Sequence, residues 1–163
     1  MKKILLLLAI PILMGAGCSS DIKDKSQEPS PLLNQEVQNE NSLDLSGQGL
    51  KKAEQSIFKQ TNLTSLNLSN NNLTGALPAE IRQLTKLQYL DASSNKMTGV
   101  PAEIGQLSNL IELNLANNQL TGLPNELGNL KNLKTLNLSG NEISQQDLDG
   151  IRQNLPADVI IIE

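Results

Sequence analysis

LTSLNLSNNNL, residues 63–73, places leucine at its first, fourth, sixth and eleventh positions and asparagine at its ninth, and it is one of five copies of that pattern in the chain. The other copies are ENSLDLSGQGL (40–50), LQYLDASSNKM (87–97), LIELNLANNQL (110–120) and LKTLNLSGNEI (133–143). The equivalent residues Leu43, Leu66, Leu90, Leu113 and Leu136 lie 23, 24, 23 and 23 positions apart. A register held this closely identifies a repeat architecture before any single element is assigned.

Within each copy the L-x-L alternation has the period of a strand, so Leu66 and Leu68 face one way and Ser65, Asn67 and Ser69 the other. About six or seven aliphatic side chains per repeat, at ~1.5–3 kcal/mol each when buried, oppose ~1–2 kcal/mol of backbone entropy for every residue ordered. One repeat therefore cannot fold alone. Stacking resolves the deficit, because neighbouring strands pair in a parallel sheet and the leucines fill the space between turns. Asn71, Asn95, Asn118 and Asn141 recur where each strand turns away, which predicts a ladder of buried amides bonded to backbone groups left open by the bend.

The segments resemble the leucine-rich-repeat signature L-x-x-L-x-L-x-x-N-x-L, from about Glu40 to Ile143. The stretches between them, TGALPAEIRQLTK, TGVPAEIGQLSN and TGLPNELGNLKN, are similar to the convex sides of bacterial and plant members. The resemblance implies an α/β solenoid: a right-handed superhelix in a horseshoe arc, with a parallel concave sheet and five repeats of about 23 residues plus terminal caps. Departures are Glu40 for the first Leu, Gln48 for the first Asn, Ala92 for one strand Leu, and one extra residue around Ala76.

Composition agrees. Aromatic residues are 1% of the 163, so an aliphatic core is required, and the roughly 120 residues left after an export leader make one domain. The formal charge of −4 becomes −6 if Lys2 and Lys3 are removed, since −4 − 2 = −6 and every acid lies downstream, which argues against nucleic acid as a partner. Histidine is absent and Cys18 is the sole cysteine, so neither a histidine or thiolate metal cage nor an internal disulfide is expected. No cofactor is expected.

Lys2 and Lys3, the apolar run Ile4–Met14 and the small residues Gly15, Ala16 and Gly17 have the layout of a secretory signal, assigned to residues 1–17. The run is too short for a lasting transmembrane helix and Pro11 interrupts it. A cysteine after Ala-Gly resembles the lipobox of bacterial lipoproteins, which implies lipidation of Cys18, although Gly15 stands where that family usually has an aliphatic residue. Ordinary cleavage and a soluble secreted product is the alternative. Residues 18–39, polar and charged with two prolines, read as a lipid-anchored flexible tether. Export to a bacterial cell envelope follows, and Ser19 favours the outer membrane where the cell has one.

The ends of a solenoid need covering. KKAEQSIFKQTN after Leu50 supplies Ile57 and Phe58 in a helical context at one end. At the other, residues 144–163 read as a cap helix and terminal strand. Ser144 and Asp147 have capping-box spacing, Leu148, Ile151 and Leu155 share a helix face stopped by Pro156, and Val159 and Ile161 fall 23 residues after Leu136 and Leu138. That count turns Ile160 and Ile162 outward, on a strand suited to pairing with another chain.

Outward strand positions form three columns: Ser42, Ser65, Tyr89, Glu112, Thr135; Asp44, Asn67, Asp91, Asn114, Asn137; and Ser46, Ser69, Ser93, Ala116, Ser139. Tyr89 is the expected anchor for a partner, because tyrosine offers wide contact at low entropic cost, and Asp91 and Glu112 beside it suit a basic group. Asn67, Asn114 and Asn137 complete the expected partner-binding set. The function expected is an envelope-tethered module that binds protein, with glycan as a second ligand class. The alternative is a structural envelope lipoprotein that self-associates through Ile160 and Ile162. Catalysis is not expected: Asp91 and Glu112 are the sole candidate carboxylate pair, and the sequence supplies no second group to support them.

Overall fold

The computed structural model describes residues 41–163. The expected signal segment 1–17, Cys18, the expected tether 18–39 and Glu40 lie outside the described residues.

Among the described residues there are eight strands: β1 (Ser42–Asp44), β2 (Ser65–Asn67), β3 (Thr74–Gly75), β4 (Tyr89–Asp91), β5 (Lys96–Met97), β6 (Glu112–Asn114), β7 (Thr135–Asn137) and β8 (Ile160–Ile162). Six form one sheet in the order β1-β2-β4-β6-β7-β8, parallel throughout. Each strand is the rung of one repeat, and Leu43, Leu66, Leu90, Leu113, Leu136 and Ile161 lie in register along the stack. β3 and β5 pair in a second, two-stranded ladder where the chain leaves the main sheet. The repeats thus coil into a solenoid, as the resemblance implies.

The seam of the coil is almost wholly leucine. Leu66, Leu90, Leu113 and Leu136 are sealed from solvent, as are Leu87, Leu110 and Leu133 before them and Leu68, Leu115 and Leu138 after them. Ala92 replaces the equivalent leucine and is equally buried. The returning sides are 3-10 turns at Ala79–Gln83, Ala102–Gln106 and Asn125–Asn129, each starting after a proline whose ring holds φ near the value these turns require. They deliver Ile81, Ile104 and Leu127 to the core. These sides pack so closely that a Cβ at Gly105 would stand 2.2 Å from the Glu126 carbonyl oxygen. The extra residue of the second repeat falls at exposed Ala76, where no core position shifts.

The first turn is covered by helix α1 (Gln55–Phe58), which buries Ile57 and Phe58. The last is covered by helix α2 (Gln145–Arg152), which buries Leu148 and Ile151. Ser144 caps α2, its Oγ accepting from the Asp147 N–H at 3.2 Å. Two details differ from the sequence reading. Leu155 is buried but lies beyond the helix, which ends at Arg152. β8 pairs Thr135 with Ile160, Leu136 with Ile161 and Asn137 with Ile162, an offset of 25 residues and not 23. The α2 segment and the turn after it are two residues longer than the 3-10 returns they replace. An even change preserves strand parity, so Ile161 still points inward and Ile160 and Ile162 outward.

Candidate binding face

Every inward side chain of the sheet is committed to the core, which leaves the outward columns and the loops that follow them. The asparagine ladder settles the loops. Asn118 Oδ1 accepts from the Met97 N–H at 3.0 Å, while its Nδ2 donates to the carbonyls of Ala92, Leu115 and Ala116 at 3.0, 3.0 and 3.3 Å. Asn71, Asn95 and Asn141 repeat the arrangement one turn apart, each accepting from the preceding turn at Leu50, Leu73 and Leu120. Each amide therefore ties two turns together, its Oδ1 accepting from a backbone N–H that would otherwise lack a partner. The residue before each of these amides, Asn70, Ser94, Asn117 or Gly140, has φ between 54° and 72°, the left-handed kink that swings the amide inward.

The second outward column is also tied to backbone. Asp44, Asn67, Asp91, Asn114 and Asn137 each accept, through Oδ1, the N–H two residues on, at 2.8, 3.0, 2.8, 3.2 and 3.1 Å. Short side chains with an acceptor at this reach close the turn that ends the strand. Asp91 is engaged twice, because its Oδ2 accepts from Asn114 Nδ2 at 3.1 Å. The bond from the Ser46 N–H holds the Asp44 carboxyl below its ordinary pKa, with the Ser46 hydroxyl assisting. The strands stop here, so the expected third column is not an outward one: Ser69 and Ala116 are buried in the turn and Ser46, Ser93 and Ser139 are half-buried.

The first column is free. Among the described residues, no side-chain hydrogen bond engages Ser65, Tyr89, Glu112 or Thr135, which stand in register on four adjacent strands. Tyr89 is 45% exposed beside exposed Glu112, and the two border a shallow depression with Ser65, Asn67 and Asp91. The structure thus brings all six sequence-derived partner residues onto one face and divides them by occupation. Ile160 and Ile162, 62% and 42% exposed, extend the two columns at the β8 end. Lys134, on the flank, is taken up by Asp158 at 2.5 Å, which lowers the Asp158 pKa. Among the described residues no group of three or more acids, cysteines or histidines is placed to hold a metal, and no helix is long and apolar enough to cross a membrane.

The sequence profile of a leucine-rich repeat region matches residues 41–155. The chain belongs to the leucine-rich-repeat family. Solved structures agree with that assignment. A leucine-rich-repeat protein of Leptospira interrogans, LIC12759, is 41% identical over 69% of this chain and 28% of its own, with a TM-score of 0.65. The BIR3–SERK2 complex of Arabidopsis thaliana contributes a chain 36% identical over 63% of this one and 56% of its own, at a TM-score of 0.58. The plant peptide hormone receptor RGFR1, in complex with RGF2, is 32% identical over 68% of this chain and 18% of its own, at 0.56. This leucine-rich-repeat chain therefore spans less than two thirds of the length of these relatives. No curated protein matches it in sequence. Leucine-rich repeats typically serve as protein-interaction modules.

Proposed function

We propose that the chain is an exported module, held to a bacterial cell envelope by lipid on Cys18 and the segment 18–39, that binds a protein partner through the outward face around Tyr89. The observation that carries this reading is the contrast on that face: Tyr89 is 45% exposed and Glu112 is free of internal bonds, whereas the neighbouring column is consumed by turns. Tyrosine gives a large rigid contact, and Glu112 with the Asp91 charge beside it suits a lysine or arginine of the partner. Asn67, Asn114 and Asn137 contribute at most their remaining amide edges. The Arabidopsis and RGFR1 structures, described as complexes, support a role in recognition. Glycan is the second ligand class for the same polar face. Binding, and not catalysis, is the activity that a shallow strip of short side chains supports.

A photoreactive residue at Ser65, in the full chain on intact cells, tests the proposal. Capture of a defined protein that falls about tenfold or more with Tyr89→Ala is the expected result. Capture indifferent to Tyr89 would move the site elsewhere. Exposed Ile160 and Ile162 favour a second reading, self-association in a structural envelope role. A sedimentation coefficient that rises with concentration, and ceases to do so in the double variant Ile160→Ser, Ile162→Ser, would support it.

A further inference from the structure

The outward face is not uniform along the stack. Its charged positions are Asp44, Asp91 and Glu112, all acidic, and among the described residues no lysine or arginine occupies an outward position on the strands of the six-stranded sheet. Toward β8 the character changes: Thr135 and Asn137 are half-buried and small, and Ile160 and Ile162 beyond them are large, apolar and exposed. Tyr89 and Ile160 occupy the same column three strands apart, linked through Glu112 and Thr135. At about 4.8 Å between neighbouring strands, the two anchors are about 14 Å apart.

Resting on the binding role assigned to this face, we infer that the ligand is an extended peptide segment of the partner that crosses the strands, with a lysine or arginine at one place and a large aliphatic residue four positions away. The spacing follows from strand geometry. An extended chain advances about 3.4 Å per residue, so about 14 Å corresponds to four residues, and an even separation puts both side chains on the side that meets the sheet. The cation reaches Glu112 and the Tyr89 ring, while the aliphatic residue packs on Ile160 and Ile162. The residue midway between them faces Thr135 and Asn137, where small polar side chains fit. A spacing of three or five would turn one anchor into solvent.

Tyr89 is the chain's sole tyrosine and tryptophan is absent, so intrinsic fluorescence reports on this site. The probe is the capped peptide Gly-Ser-Arg-Ser-Ser-Ser-Leu-Ser-Gly, which contains no aromatic residue, titrated into the full chain carrying Cys18→Ser. Its partners are the same peptide with leucine moved to give a spacing of three, with arginine replaced by glutamate, or with leucine replaced by serine. A saturable change in Tyr89 fluorescence is expected, with affinity about fivefold or more lower for each altered peptide. Glu112→Gln should lower affinity for peptides that keep the arginine, and Ile160→Ser for those that keep the leucine. Equal affinity at spacings of three and four, or no saturable change, overturns the inference. If capture at Ser65 in cells still depends on Tyr89 in that event, the face binds but by another pattern; if that capture also fails, the binding role falls with it. A fluorescence change driven by protein concentration alone, abolished by Ile160→Ser, would show a second copy on the face and equally overturn the inference.

Discussion

The column through Ser65, Tyr89, Glu112 and Thr135 and the column through Asn67, Asp91, Asn114 and Asn137 stand two residues apart on the same strands, equally outward in sequence pattern. In the second, every side chain closes a turn by accepting an N–H two residues on. In the first, no side chain is bonded within the described residues, and one of them is a half-exposed tyrosine. A polar residue on the surface of a repeat can thus be either scaffold or site. What separates the two is whether a short acceptor lies within reach of its own backbone, and substitutions at both columns and behind them give each role a different signature.

The largest effect belongs to the core that both columns stand on. Leu113→Ala removes a side chain sealed between three turns and should cost about 2–5 kcal/mol in urea unfolding, more than any change on the outward face. Asn118→Ala should come next, with a loss of about 1–3 kcal/mol, because the Met97 N–H is left buried without a partner, while the carbonyls of Ala92 and Leu115 keep Asn95 and Asn141. An unchanged melting curve would remove the ladder from the account. Asn114→Ala deletes a part-buried bond to the Ala116 N–H and should cost about 0.5–1.5 kcal/mol.

The smallest effect is that of pH. Asp44 and Asp158 have folded pKa values lowered from 3.8, so their contribution is complete well above pH 3.8 and is lost as pH falls through the lowered values. Asp44→Asn should flatten the acid limb of a stability profile slightly. A profile steeper than that of the unaltered chain would contradict the bond assigned to Ser46.

Much of this is legible in the sequence, because a leucine spacing of 23 or 24 residues specifies both the strand register and the identity of the seam. The asparagine ladder was equally legible, since one residue type recurring at one place in a turn has a backbone task. The outward face is shorter than the alternation of the sequence implies. Alternation continues through Leu68 and Ser69, yet the chain bends after Asn67, and Ser69 is buried. The signal for that bend was present: aspartate or asparagine two residues before a serine or alanine in all five repeats marks a turn that binds its own backbone. The offset of β8 was less accessible, because the residues needed to cross α2 and its following turn depend on how the cap packs and no repeat sets them.

The division between the columns is tested most directly by measuring two quantities on two variants, the urea midpoint and the yield of partner captured from Ser65. Tyr89→Ala should leave the midpoint unchanged and lower capture about tenfold or more, whereas Asn114→Ala should lower the midpoint and retain capture of the folded protein. If Tyr89→Ala destabilised the chain as much as Asn114→Ala, or if capture survived the loss of Tyr89 and failed with the loss of Asn114, the roles assigned to the two columns would be wrong.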